Sequence, residues 1–255
     1  AANGWPGWTA LGLITIAMLG ARTGAMAANR VIDADLDARN PRTAYRAIPA
    51  GIMRRMEMIA LGVTGFIILA VAAWQLNSTA FALTPIAILI VTAYAYFKRF
   101  TWLSHWFLGF ADSIAVAGAW IGITAGLDLA AGLLTIAMMF WIAGFDVIYA
   151  CQDCEIDRQQ GLHSIPARFG IGPALWFSRI SHLISIISMV ALGVVLTLSW
   201  VYWLGVATAA GLLVYEASLV GPKNLNNLQK AFFDMNGYIS IAYMVAIILH
   251  FVVSK

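Results

Sequence analysis

Residues 129–157 read LAAGLLTIAMMFWIAGFDVIYACQDCEID. From Leu129 to Ala150 the run carries a single charge, Asp146, and it then breaks out into Asp153, Glu155 and Asp157. A helix needs about 18–20 apolar residues to cross a bilayer. Inside lipid, only a helix or a closed barrel satisfies its own backbone. The stretch therefore reads as a membrane helix that emerges onto a patch of carboxylates. Working outward, comparable apolar segments lie at 8–30, 56–76, 80–97, 102–125, 173–197, 200–220 and 235–253. The expected fold class is an all-α integral membrane protein of eight helices.

Composition agrees. Of 255 residues, 62% are hydrophobic and 11% charged, against about 25% charged in an ordinary soluble domain. Mean hydropathy is +0.83. These values exclude a disordered chain, a coiled coil and a water-soluble globule. The pI of about 9.0 is read as basic loops against anionic lipid headgroups, with no nucleic-acid partner. Cys151 and Cys154 are too few for a disulfide framework. The chain is read as one domain, 1–255. It begins without Met or a basic leader, so the expectation is a truncated or processed N-terminus.

The connections alternate in character. Residues 31–55, 98–101, 151–172 and 221–234 are charged, whereas the turns near Asn77-Ser78, Gly126-Leu127-Asp128 and Leu198-Ser199 lack Lys and Arg. Of the 15 Lys and Arg, 13 fall on one face, leaving Arg22 inside a helix and Lys255 on the other side. By the positive-inside rule that face is cytoplasmic and both chain ends lie outside.

The chemistry concentrates where two helices meet that face. Asn29, Asp33 and Asp37 step by four, and so do Tyr149, Asp153 and Asp157, with Asp146 seven before Asp153. On a continuing helix each step drifts only about 40°, so each set lines one face. Arg22, seven before Asn29, falls on that same face, deeper in the membrane. Four aspartates at one membrane surface repel and need a cation. Helix-borne carboxylates with open coordination suit Mg2+, which keeps waters and takes phosphate oxygens. Arg39, Arg42 and Arg46 follow the first cluster. Tyr94, Lys98 and Arg99 sit at the next charged turn, and Arg158 and Arg168 follow the second cluster. Acids for a metal flanked by bases for phosphate oxygens make a diphosphate site. Each acidic helix is followed by a loop with Ile-Pro-Ala, at Ile48-Pro49-Ala50 and Ile165-Pro166-Ala167, as in an internal pseudo-repeat.

On these residues the sequence resembles the UbiA superfamily of intramembrane prenyltransferases. The family's NDxxDxxxD stands as Asn29-Arg30-Val31-Ile32-Asp33-Ala34-Asp35-Leu36-Asp37, with Arg30 replacing the first Asp. Its DxxxD is Asp153 to Asp157, and its YxxxK is Tyr94 to Lys98. The phrases around Gly144–Asp153 and Gly161–Gly170 look closest to 4-hydroxybenzoate polyprenyltransferase-like members, in the branch assigned to the futalosine route of menaquinone synthesis. The resemblance implies a helix bundle around a central cavity open to the cytoplasmic side. The family normally has nine helices, so its first helix is expected to be missing from this sequence.

The resemblance also implies a reaction. A polyprenyl chain passes from polyprenyl diphosphate to an aromatic carboxylic acid of the 4-hydroxybenzoate type, in quinone biosynthesis at the cell inner membrane, with Mg2+. Asn29, Asp33, Asp37, Asp153 and Asp157 are the expected metal ligands. Arg42, Arg46, Lys98, Arg168 and Tyr94 are the expected diphosphate-binding residues, with His163 near them. Arg22, Asn29 and Tyr149 are expected at the acceptor, and Asp146 is the candidate base. The structural alternative for Arg22 is an ion pair with Asp112. His105 and Asp112, seven apart, are expected on one face of their helix, as an extension of the acceptor pocket or as an intramembrane pair. The cysteine pair reads as incidental, and His182 and His250 as packing or snorkelling residues. Glu216 and Asn236 have no assigned role.

Two rivals stand beside this reading. The same chemistry on 1,4-dihydroxy-6-naphthoate keeps the acceptor carboxylate and so is not separated by Arg22. A cation-coupled transporter would place acids near the bilayer midplane, whereas these lie at helix ends and their copies run in the same direction.

Overall fold

The computed structural model describes residues 5–253. It is helical, with no strand element among the described residues. The membrane helices are α1 (Trp8–Ile32), α3 (Arg55–Leu76), α4 (Ser78–Phe97), α5 (Ser104–Thr124), α6 (Leu129–Ala150), α9 (Ile171–Val195), α10 (Trp200–Leu219) and α11 (Met235–Val253). Short helices α2 (Ala34–Ala38), α7 (Cys154–Gln159) and α8 (Ile165–Phe169) lie between them. Among the described residues, eight helices are long and apolar enough to span a membrane, at the eight segments expected. Lys255 lies outside the described residues.

The chain divides into two compact units, one holding residues up to Phe97 with Ile114–Asp128, the other Lys98–Ser113 with residues from Leu129 on. In the first, α1 and α3 meet through small residues. A Cβ on Gly20 would come 2.6 Å from the Gly65 carbonyl oxygen, and one on Gly65 2.7 Å from the Gly20 carbonyl oxygen. Lipid is as apolar as a side chain, so close backbone approach rather than water exclusion holds such helices together. Asn77 shapes the α3–α4 turn: its Oδ1 accepts the Ala80 N–H, and its Nδ2 donates to the carbonyls of Ile121 and Gly122 at 2.8 and 3.1 Å.

In the second unit α6 packs on α9. Ser185 Oγ donates to the Ala137 carbonyl at 2.8 Å, and Gly144 lies against the His182 ring. The Tyr202 hydroxyl on α10 donates to the Met189 carbonyl on α9 at 2.7 Å and meets the Tyr243 hydroxyl on α11. His250 does not snorkel. It is buried and lies 2.8 Å from the Ser199 hydroxyl, before α10.

Candidate active site

The first acidic helix does not run straight through its motif. α1 stops at Ile32, Asp33 takes φ −93° and ψ 3°, and α2 restarts at Ala34. The four-residue register nevertheless survives, because Asp33 N–H bonds to the Asn29 carbonyl and Asp37 N–H to the Asp33 carbonyl. Asp33 is 1% exposed and Asp37 5%. Asn29 Nδ2 donates to Asp33 Oδ2 at 3.0 Å, and Arg30 Nη1 donates to Asn29 Oδ1 at 3.2 Å. The loop after α2 then turns back on the cluster. Thr43 Oγ1 donates to the Asp37 carbonyl, Asn40 Oδ1 accepts the Arg42 N–H, and Arg46 Nη1 meets Asp37 Oδ1 at 2.6 Å. Gly51, at φ 70°, supplies the left-handed turn that lets Ile52 and Met53 N–H both reach the Ala47 carbonyl. Arg30 lies within electrostatic range of Asp33, Asp37, Tyr94 and Arg46. The outer acid, Asp35, pairs with Arg55 at the exposed surface.

The second acidic helix repeats the device. A tight turn at Cys151–Asp153 follows α6, and Asp153 takes φ −97° and ψ 5° before α7 begins. Asp157 is hydrogen-bonded by the Ser164 side chain and lies within electrostatic range of Asp153, Lys98 and His105. The backbone carbonyl of Lys98 accepts the His163 N–H at 2.7 Å, which ties the charged turn after α4 to the loop after α7. Arg158 braces that loop from outside, through Glu155 and the Ala167 carbonyl. Both thiols are buried and free. Cys151 faces the Val147 carbonyl and Cys154 the Pro166 carbonyl.

Several expectations need correction. Ile165-Pro166-Ala167 is not a loop like Ile48-Pro49-Ala50. It forms the first turn of α8, with Ser164 Oγ accepting the Ala167 N–H, and proline is tolerated there because a first-turn N–H has no helical partner. His105 does not partner Asp112, which is exposed. Instead His105 Nδ1 lies 2.6 Å from Asp146 Oδ2. Its Nε2 accepts the Ile165 N–H at 3.2 Å, so Nδ1 carries the proton and donates to the carboxylate. Arg22 is exposed on α1 rather than buried. The face of α1 that packs on α3 is made by Gly20, Gly24 and Ala27, and Arg22 lies about 200° around the helix from Gly20. It lies on the helix face that also carries Asn29.

The remaining candidates lie as follows. Tyr149 stacks on Phe232 with ring centroids 4.1 Å apart. Arg168 is exposed, its guanidinium 5.4 Å over the Phe169 ring. Tyr94 and Arg42 are partly buried. Spacing alone did not reveal the His105–Asp146 pair or the Ser164–Asp157 bond, whose members lie on different elements. The one available signal was that titratable groups in apolar helices must find partners.

The donor set fits a hard divalent cation. Asp37 Oδ2 is buried with no hydrogen-bond partner among the described residues, and the neighbouring donors are oxygens. No group of three or more His, Cys, Asp or Glu gathers among the described residues. A Mg2+ ion bound by one or two carboxylates, waters and substrate phosphate needs no such group.

The sequence pattern of the UbiA prenyltransferase family matches residues 1–239. The chain belongs to that family. The 4-hydroxybenzoate octaprenyltransferase of Vibrio cholerae serotype O1 is 30% identical, over 98% of this chain and 87% of the relative. The apo structure of a UbiA homologue from Aeropyrum pernix K1 is 29% identical with a TM-score of 0.87, covering 95% of this chain and 90% of that one. A UbiA homologue from Archaeoglobus fulgidus bound to DMAPP and Mg2+ shares the fold at a TM-score of 0.68 and 18% identity, over 95% and 90% of the two chains. This UbiA family member is thus a prenyl-transferring enzyme and a multi-pass integral membrane protein with the all-α architecture expected from its sequence.

Proposed function

We propose that this enzyme transfers a polyprenyl chain from polyprenyl diphosphate to an aromatic carboxylic acid of the 4-hydroxybenzoate type, with Mg2+, on the cytoplasmic side of the cell inner membrane. The observation that carries the reading is the matched pair of aspartates, Asp33 with Asp37 and Asp153 with Asp157, each on a kinked helix end beside basic residues. The relative named as a 4-hydroxybenzoate octaprenyltransferase and the homologue bound to DMAPP and Mg2+ support the substrate classes.

In this reading Asn29, Asp33, Asp37, Asp153 and Asp157 hold the metal, and Arg42, Arg46, Lys98, Arg168 and Tyr94 bind diphosphate oxygens. Bound Mg2+ supplies positive charge to the leaving diphosphate. The basic residues add to it where charge grows as the allylic carbon–oxygen bond breaks. Tyr149, already stacked on Phe232, offers an aromatic face to the allylic cation and acceptor. Arg22 binds the acceptor carboxylate, on the helix face that also carries Asn29. Asp146 takes the ring proton, with His105 holding its carboxylate in place.

The test is an assay of full-length protein with Mg2+, a polyprenyl diphosphate and each of two acceptors, 4-hydroxybenzoate and 1,4-dihydroxy-6-naphthoate. Diphosphate release coupled to a prenylated ring is the expected result, and its amount with each acceptor assigns the substrate. Full activity retained in the Asp33→Ala, Asp153→Ala double variant sinks the metal–diphosphate assignment.

A further inference from the structure

The first aspartate cluster carries its own cations. Asp33 and Asp37 are almost wholly buried. Arg46 is ion-paired with Asp37, and Arg30 stands within electrostatic range of both acids. Two buried carboxylates thus have one guanidinium in contact and a second within electrostatic range. Arg30 also engages the atom that a metal would need. Asn29 turns its Nδ2 to the Asp33 carboxylate and its Oδ1 to Arg30. The amide orientation follows from that pairing, since an ionised carboxylate only accepts and the only donor of the amide is its NH2. A cation entering beside Asp33 meets like charge and an occupied amide oxygen. Diphosphate changes this, because its oxygens are strong acceptors for guanidinium forks.

We infer that Arg30 and Arg46 hold the first aspartate cluster charge-neutral, so that a divalent cation enters it only together with a diphosphate, which draws the two arginines off Asn29 and Asp37. The inference rests on the proposed metal–diphosphate reading and adds to it an order of events. Metal loading at Asp33 and Asp37 is coupled to the arrival of substrate, and Arg30 is a positioning residue for it. The cluster then stays closed to Mg2+ between turnovers.

The test reads metal, not turnover. Free Mn2+ is followed by electron paramagnetic resonance during titration of purified protein, with and without excess inorganic diphosphate, against protein-free controls holding the same diphosphate. In the otherwise wild-type chain, Asp33→Asn is expected to leave Mn2+ binding unchanged without diphosphate and to lower it with diphosphate present. Arg30→Gln keeps a side chain able to donate to Asn29 but removes the charge. It is expected to tighten Mn2+ binding without diphosphate by about tenfold or more, since a like charge is lost from the site. Adding Asp33→Asn to Arg30→Gln should abolish that gain, and Arg30→Lys should behave as wild type. The wild-type comparison alone decides the matter if Arg30→Gln fails to fold: Mn2+ bound without diphosphate and lost in Asp33→Asn overturns the inference. An Arg30→Gln protein with unchanged Mn2+ affinity overturns it too, while leaving diphosphate-dependent Mn2+ binding intact. Absence of any Mn2+ binding with diphosphate present overturns the underlying metal–diphosphate reading as well.

Discussion

Asp33 and Asp153 share a backbone conformation, φ −93°, ψ 3° and φ −97°, ψ 5°, and each is followed at once by a fresh helical turn. Both are the first acid of a four-step pair, and both lie where a long membrane helix gives way to a short one. This sparsely populated region of backbone space recurs at active-site residues. Within each pair a four-residue step brings the second acid, Asp37 or Asp157, to within about 40° of the first around the helix.

The two positions should therefore respond alike to truncation. Asp33→Ala and Asp153→Ala are each expected to lower prenyl transfer by about 10²–10³-fold or more, the scale for removing a group that stabilises developing charge. Asp35→Ala is the control within the same motif. Its pairing with Arg55 is exposed, and surface pairs are worth about 0–1 kcal/mol, so activity should remain within about threefold of wild type. Steady-state rates and thermal unfolding, measured side by side, check the contrast.

His105 supports Asp146 and the start of α8 together. Removing it leaves the buried Ile165 N–H unpaired and frees the Asp146 carboxylate. An unsatisfied buried group costs about 1–3 kcal/mol, so His105→Ala should unfold at lower temperature. Asp146→Asn keeps an acceptor for His105 and should hold most of that stability. If Asp146 takes the ring proton, its rate falls by about 10²–10⁴-fold. A normal rate in a well-folded Asp146→Asn protein removes Asp146 from the chemistry.

How much of this was legible beforehand differs by residue. The membrane helices were, because an apolar run from 129 to 150 admits few other structures. The two acid pairs were as well, since four-residue spacing is a local property, and at Asp33 it survived the break in the helix. Arg46 was legible as a cation near the first cluster, but not as the partner of Asp37, which depends on how a string of turns folds back. The surroundings of Arg30 were hidden for a related reason. Its bond to Asn29 is between neighbours in the chain, yet Tyr94 and Arg46 lie within its electrostatic range as well as the motif. The His105–Asp146 pair spans two membrane helices, and helix-to-helix register is set by packing that no single-helix periodicity reports.

The α1–α3 contact makes a sharp stability prediction. A methyl group at Gly65 would meet backbone atoms of Gly20 and Gly24 rather than the end of a flexible side chain. Such overpacking costs about 1–3 kcal/mol. Gly65→Ala and Gly20→Ala should each lower the unfolding temperature, whereas Gly211→Ala, with nothing within 4 Å of the added carbon, should not. Equal unfolding temperatures across the three variants would refute the packing argument.

Glu216 is a fully buried carboxyl of the second unit with no role in the proposed reaction. It is 0% exposed, neither carboxylate oxygen has a hydrogen-bond partner among the described residues, and His182 Nδ1 stands 3.7 Å away. A carboxyl buried without a hydrogen-bond partner offers no contact that its isosteric amide would lose, and it bears the cost of desolvation. Glu216→Gln is thus expected to unfold at the wild-type temperature or above it. His182 is different, because its ring fills the space that Gly144 leaves open. A Cβ at position 144 falls on that ring. Gly144→Ala should destabilise by overpacking, and His182→Ala by leaving a cavity, each by about 1–4 kcal/mol. Combined, the two changes relieve one another, and the double variant should recover about 0.5–3 kcal/mol relative to their sum. Strict additivity would mean that the ring and the glycine are not in contact.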